Sequence, residues 1–138
     1  MAKTKKTLSR KGSKKKLKKF NPAEELKDQI ISGMQEKKAK EIVSVDLRNI
    51  RNAVADFFVI CHADSKTHVE AIADSIEEYV EKHSGEVPQH TEGEANAEWI
   101  LLDYFNVIAH VFLHEKRDFF GIERLWADAE IKRIANNF

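Results

Sequence analysis

Residues 98–113 read Glu-Trp-Ile-Leu-Leu-Asp-Tyr-Phe-Asn-Val-Ile-Ala-His-Val-Phe-Leu, two apolar runs on either side of Phe105-Asn106. A two-residue loop at that point makes the stretch a β-hairpin in which 104 faces 107, 102 faces 109 and 100 faces 111. Side chains alternate along a strand, so the register sorts the hairpin into two faces. Ile100, Leu102, Tyr104, Val107, Ala109 and Val111 share one; Trp99, Leu101, Asp103, Ile108, His110 and Phe112 share the other. Both faces are largely apolar, whereas a sheet wet on one side carries polar residues there. Either helices cover both sides, or a partner docks on one side or edge.

Upstream of the hairpin, Ile42 to Leu47 and Phe57 to Cys61 are short β-branched and aromatic runs that read as strands, the second nearly all apolar and therefore central. A helix over about 22–39 precedes them, with Asn21 as cap, Pro22 at its first position and Leu26, Ile30, Ile31 and Met34 on one stripe. A second helix starts at Asp64 or Ser65, carries Val69, Ile72, Ala73, Ile76, Tyr79 and Val80 inward, and stops at Gly85. A short edge strand is expected around Glu86 to Thr91, a turn and short helix over Glu115 to Trp126, and a frayed helical end over 131–138. The order αβ, βα, ββ and short α predicts an α/β class domain: one mixed β-sheet flanked by helices. The expected division is a lysine-rich tail over 1–20, the α/β domain over 21–130 and a C-terminal extension over 131–138.

At 138 residues the chain has room for one domain with a real core. Its net charge of zero hides an asymmetry: residues 1–20 hold ten Lys or Arg and no acid, leaving 13 of the 23 basic residues against all 23 acids in the rest. A tail of that composition is too polar to repay the entropy of ordering, so disorder is expected there. It is either a solubilising extension or an electrostatic arm for RNA phosphates, with Lys14, Lys15, Lys16, Lys18 and Lys19 as its densest run. The longest apolar run, Val107 to Leu113, is seven residues and is interrupted by His110, whereas a membrane span needs roughly 20. One cysteine, Cys61, leaves no internal disulfide, and the N-terminus has no apolar signal region; the expectation is a cytoplasmic protein without membrane partners.

Catalytic patterns are missing: there is no GxxxxGK[ST], GxGxxG after a strand, GxSxG or HExxH. His110 and His114, on a strand, stand roughly 13 Å apart and cannot share a metal. Asp103 and His110 lie on one face at the edge of hydrogen-bonding reach, as an acid/base pair or as structural or interface residues. The expectation is a protein that is not an enzyme, with no cofactor and no metal. Trp126 reads as core, while Trp99 is either core or the anchor of a partner surface, because it shares a face with Asp103 and His110.

Ala55 to Ile60, Val69 to Asp74, Glu92-Gly93, Glu98 to Tyr104, His110-Val111-Phe112 and Leu125-Trp126 are similar, in order and spacing, to the pattern of the Iojap-related ribosomal silencing factors. The resemblance runs from about Leu26 to Trp126. It implies a small α/β fold like that of nucleotidyltransferases without their catalytic signature. It further implies docking on the large ribosomal subunit through ribosomal protein fourteen, a block to small-subunit joining, lowered translation under nutrient limitation, and homodimers when free. The docking residues it implies are Glu98, Trp99, Leu102, Asp103, Tyr104, His110 and Phe112. In these roles Trp99 is the aromatic anchor, Asp103 accepts from a basic group, and His110 and Phe112 complete the patch. Tyr104 belongs instead to the core if the register holds. Arg117, Glu123 and Arg124 either rim the contact or simply face solvent.

The pattern usually has Gly after the Asp-Tyr pair, where this chain has Phe105, and a phenylalanine is ill suited to positive φ. A slipped hairpin register is therefore the alternative. Where relatives often show Phe-Tyr, Phe119-Phe120 lacks one hydroxyl. Two other readings compete: a basic-tail RNA-binding protein, and a divergent nucleotidyltransferase-like enzyme using Asp103 and His110.

Overall fold

The structure is a computed structural model that describes residues 22–136. The tail over 1–20 and the Asn21 cap lie outside the described residues. In chain order the elements are α1 (Pro22–Glu36), β1 (Lys40–Asp46), β2 (Phe57–Ala63), α2 (Lys66–Ser84), β3 (His90–Glu92), β4 (Trp99–Asp103), β5 (Val107–Leu113), α3 (His114–Phe120), α4 (Ile122–Leu125) and β6 (Glu130–Arg133). The strands form one mixed sheet in the order β3-β4-β5-β2-β1-β6. Only β2 and β5 run parallel to each other; the remaining pairs are antiparallel.

Every residue of β2 and β5 is buried, as the unbroken apolar runs require of strands covered on both faces. The stripes of α1 and α2 cover one face, packing with Ile100, Leu102, Tyr104, Val107, Ala109 and Val111 into a continuous core. The two helices approach closely at Gly33, where an added Cβ would lie 2.8 Å from the Cα of Ile76, and Ser75 Oγ donates to Gly33 O at 2.7 Å. Only a residue without a side chain lets the backbones meet there. Ser65, the second of the two candidate caps, starts α2 by accepting from the His68 amide at 3.1 Å, and Gly85 ends it in the left-handed region.

The hairpin has the expected register: Ile100 faces Val111, Leu102 faces Ala109 and Asp103 faces Ile108. Its turn places Phe105 at φ +77° and exposed, stabilised by the Phe105 amide donating to Asp103 Oδ1 at 2.7 Å and the Tyr104 amide donating to Val107 O at 2.9 Å. Thus Phe105 accepts the strain and no register slip occurs.

In place of the frayed helical end expected over 131–138, residues 134–136 have no regular structure, 137–138 lie outside the described residues, and 131–133 belong to strand β6, which begins at Glu130 and pairs with β1 from Val43↔Arg133 to Asp46↔Glu130. All four of its residues are exposed, so what recruits it is the row of free backbone groups on the outer edge of β1 and not burial. The first helix stops at Glu36, ahead of Lys38 at φ +58°. The short helix expected over 115–126 is broken at Gly121 into α3 and α4.

Candidate functional site

The sheet face opposite α1 and α2 is only partly covered. Val43, Val45, Leu47, Phe58, Ile60, Ile108, Phe112 and Ile122 form its buried floor, over which Trp99, Leu101 and Trp126 are half-exposed. Strand β4 sets Trp99 here, because its odd-numbered residues point away from the helices. The backbone of Trp99 is itself seated on Gly93 (φ +86°), where a Cβ would lie 1.9 Å from the Trp99 carbonyl oxygen.

Around Trp99 the rings form a row. Its indole stacks on Phe112 at 4.9 Å and meets Phe120 at 4.7 Å, and Phe119 packs against Phe120 at 5.2 Å. On the other side, Trp99 Nε1 donates to His110 Nδ1 at 3.0 Å, His110 stands edge-on to Phe58 at 4.6 Å, and Phe58 meets Trp126 at 5.8 Å. The row ends in solvent: Phe119 is 74% exposed and Phe120 40%. Large apolar side chains placed together in water mark a surface built for contact.

The expected site residues therefore divide. Trp99, Asp103, His110 and Phe112 share this face, with Trp99 and Asp103 half-exposed and His110 and Phe112 buried beneath them. Glu98 lies at its margin, near Lys66 (3.9 Å) and Lys116 (4.0 Å). Leu102 and Tyr104 are buried on the opposite face under the helices, where the register puts even-numbered residues of β4. Phe119 and Phe120 were not among the expected docking residues. Their signal is local: two adjacent phenylalanines in a seven-residue helix cannot both point inward.

Arg117 is not a rim residue. It is buried, and its guanidinium donates to both carboxylate oxygens of Glu123 at 3.0 Å, to Glu41 O at 2.8 Å and to His62 Nδ1 at 2.9 Å. These bonds tie α3 and α4 to β1 and β2 and so set the position of Phe119 and Phe120. The paired guanidinium holds the Glu123 carboxyl below its usual range. Arg124 remains exposed and donates to Asp118 O at 3.0 Å.

No acid/base pair is assembled from Asp103 and His110. Asp103 is engaged by the turn amide and His110 by Trp99, and burial drives His110 down to about 3. A ring that neutral at ordinary pH, with its acceptor nitrogen occupied, has no lone pair with which to take a proton. Cys61, buried, is pushed up to about 12, far from a reactive thiolate.

His114 comes instead to His62, stacked at 4.5 Å, with Asp64 alongside, so that one ligand atom from each lies within 4.8 Å of the others. Because Arg117 can only donate, His62 Nδ1 accepts and Nε2 carries the ring proton. Asp64 is paired with Lys40. Both groups are thus committed within the protein, an arrangement that does not suit a cation.

The family described as "Ribosomal silencing factor during starvation" matches residues 21–137. The chain is 34% identical over 106 residues to ribosomal silencing factor RsfS of Halalkalibacterium halodurans, covering 77% of this chain and 89% of that one. It is 36% identical over 96 residues to ribosomal silencing factor RsfS of Bacillus subtilis, covering 70% and 80%. A crystal structure of a Chromobacterium violaceum protein superimposes with a TM-score of 0.71 at 27% identity, covering 76% of this chain and 86% of the other.

Proposed function

This chain belongs to the ribosomal silencing factor family, and we propose that it works as one: it docks on the large ribosomal subunit through ribosomal protein fourteen, blocks joining of the small subunit and lowers translation under nutrient limitation. The observation that supports this reading is the aromatic row from Trp99 through Phe120 to Phe119, an exposed apolar surface over a buried floor. Trp99 is its centre, pinned by His110 and Phe112; Asp103 and Glu98 supply the acidic margin for a basic partner group. Leu102 and Tyr104 contribute by holding β4 from behind. Exclusion by bulk needs no catalysis, so the factor acts without a cofactor.

In this reading the protein works in the cytoplasm. Lys14, Lys15, Lys16, Lys18 and Lys19 add sequence-independent contacts to ribosomal RNA once the body has docked. The free protein pairs as a homodimer, which gives way to the ribosome-bound monomer.

Co-sedimentation with isolated large and small subunits, with residues 1–20 present and deleted and the complementary subunit then added, tests the reading. Binding to the large subunit that survives deletion and prevents joining supports it. Binding lost with the tail makes the basic-tail RNA-binding reading the better one, and unimpaired joining rejects silencing.

A further inference from the structure

Residues 70–94 carry eight acids, Glu70, Asp74, Glu77, Glu78, Glu81, Glu86, Glu92 and Glu94, and one Lys or Arg, Lys82. They lie along the outer side of α2 and the segment that follows it. Among the described residues no basic side chain forms a salt bridge with Glu77, Glu81, Glu86 or Glu94. These carboxylates stand close enough to repel one another: burial first, then the charges of Glu94, Asp74 and Glu81, raises the Glu77 carboxyl above its usual range.

Two buried polar atoms point to something that completes this face. Tyr104 is 96% buried, and its hydroxyl has no partner among the described residues; the charges acting on it are those of Glu77, Glu86 and Glu81. The Oε1 of Gln29 is likewise buried and unpartnered, in a groove lined by Pro22, Glu25, Leu26, Ser84 and Glu86. Pro22, which lines the groove that the acids border, is also where the described chain begins.

We propose that the lysine-rich segment 1–20 of the same chain seats on this acidic face, entering by the Gln29–Glu86 groove and running along α2 toward Glu77. The charges match: ten basic residues and no acid in the segment face eight acids and one base. Reach is ample, since 20 extended residues span about 66 Å and the nine positions from Glu86 back to Glu77 cover about 14 Å at helical rise. Lysine ammonium groups are donors only, which suits an unpartnered amide oxygen, a phenol oxygen and carboxylates. Covalent linkage keeps the segment at high effective concentration without a strong contact at any one position. The tail is then covered until a denser polyanion competes for it.

A nitroxide attached at Ser13→Cys in the full chain tests this, because Cys61 is buried and does not take the label. At about 0.1 M salt the amide signals of Gln29, Glu77, Glu81 and Glu86 should lose about half their intensity or more, and regain it at about 1 M, where screening is strong. The surface variant Glu77→Gln/Glu81→Gln/Glu86→Gln should recover most of the signal with its spectrum otherwise unchanged. Loss spread evenly over the protein, no loss at low salt, or the same loss in the variant overturns the proposal. Equal loss when the label sits on a different, isotopically silent copy also overturns it, by placing the tail on a second molecule.

Discussion

The indole N–H of Trp99 donates to Nδ1 of His110 across the β4–β5 ladder at 3.0 Å, diagonal to the pairs Trp99↔Phe112 and Leu101↔His110. The bond fixes both partners: the imidazole is neutral, its proton is on Nε2, and the indole lies flat over Phe112 instead of turning into solvent. A rigid aromatic anchor loses little entropy on docking.

Trp99→Ala is expected to weaken large-subunit binding by about 2 kcal/mol or more, roughly 30-fold, while the far-ultraviolet spectrum stays unchanged. Half-exposure of Trp99 makes the fold tolerant of the loss. Titration of labelled large subunits with both proteins checks it, and equal affinity for a well-folded variant rejects Trp99 as the anchor.

Acid should destabilise the protein through its buried histidines. Burial lowers His110 to about 3, and burial, with Arg117 and His114 adding to it, lowers His62 to about 4, both from 6.5. Below 6.5 the unfolded chain takes up protons that the folded chain refuses, so this stability is present above 6.5 and lost as pH falls toward those values. Each group contributes a slope of up to about 1.4 kcal/mol per pH unit. Urea unfolding between neutrality and pH 5 should show it, and His110→Gln, which keeps an acceptor for Trp99 but does not titrate, should flatten the slope.

Arg117→Met should cost about 3–5 kcal/mol, because it leaves the Glu123 carboxylate, the Glu41 carbonyl and the His62 acceptor without their donor. The double variant Arg117→Met/Glu123→Gln should recover part of that loss in thermal unfolding. A single variant as stable as the parent shows that the buried cluster does not hold α3 and α4.

Phe105→Gly should raise stability by about 1 kcal/mol. Phe105 is 67% exposed, so its removal forfeits little burial, and φ +77° strains any residue with a Cβ, although part of the relief is offset by the entropy glycine adds to the unfolded chain. Denaturant midpoints for the two proteins decide it; a less stable variant means the phenyl ring makes contacts worth more than the strain.

The hairpin register, its two faces, α2 with its Gly85 stop, and the central place of β2 could all be read from residues 57–113, because each depends on period and turn chemistry within a few neighbours. Even the awkward Phe105 left the register intact, since a one-residue slip would exchange Val107, Ala109 and Val111 for Ile108, His110 and Phe112 beside Leu102 and Tyr104 under the helices. Trp99, Asp103 and His110 were assigned to one face by the same alternation. Other features have no local signature. Glu130–Arg133 became a strand because β1 offered an open edge 90 positions earlier at Val43↔Arg133. Arg117 went inside because His62 and Glu41, distant in sequence, converge on it together with Glu123, six residues along. Phe120 met Trp99, 21 positions away, because the same cluster ties α3 to β1 and β2. Periodicity is written in adjacent residues, whereas edge pairing and buried ion pairs are free-energy choices among distant groups that meet only after the sheet has formed.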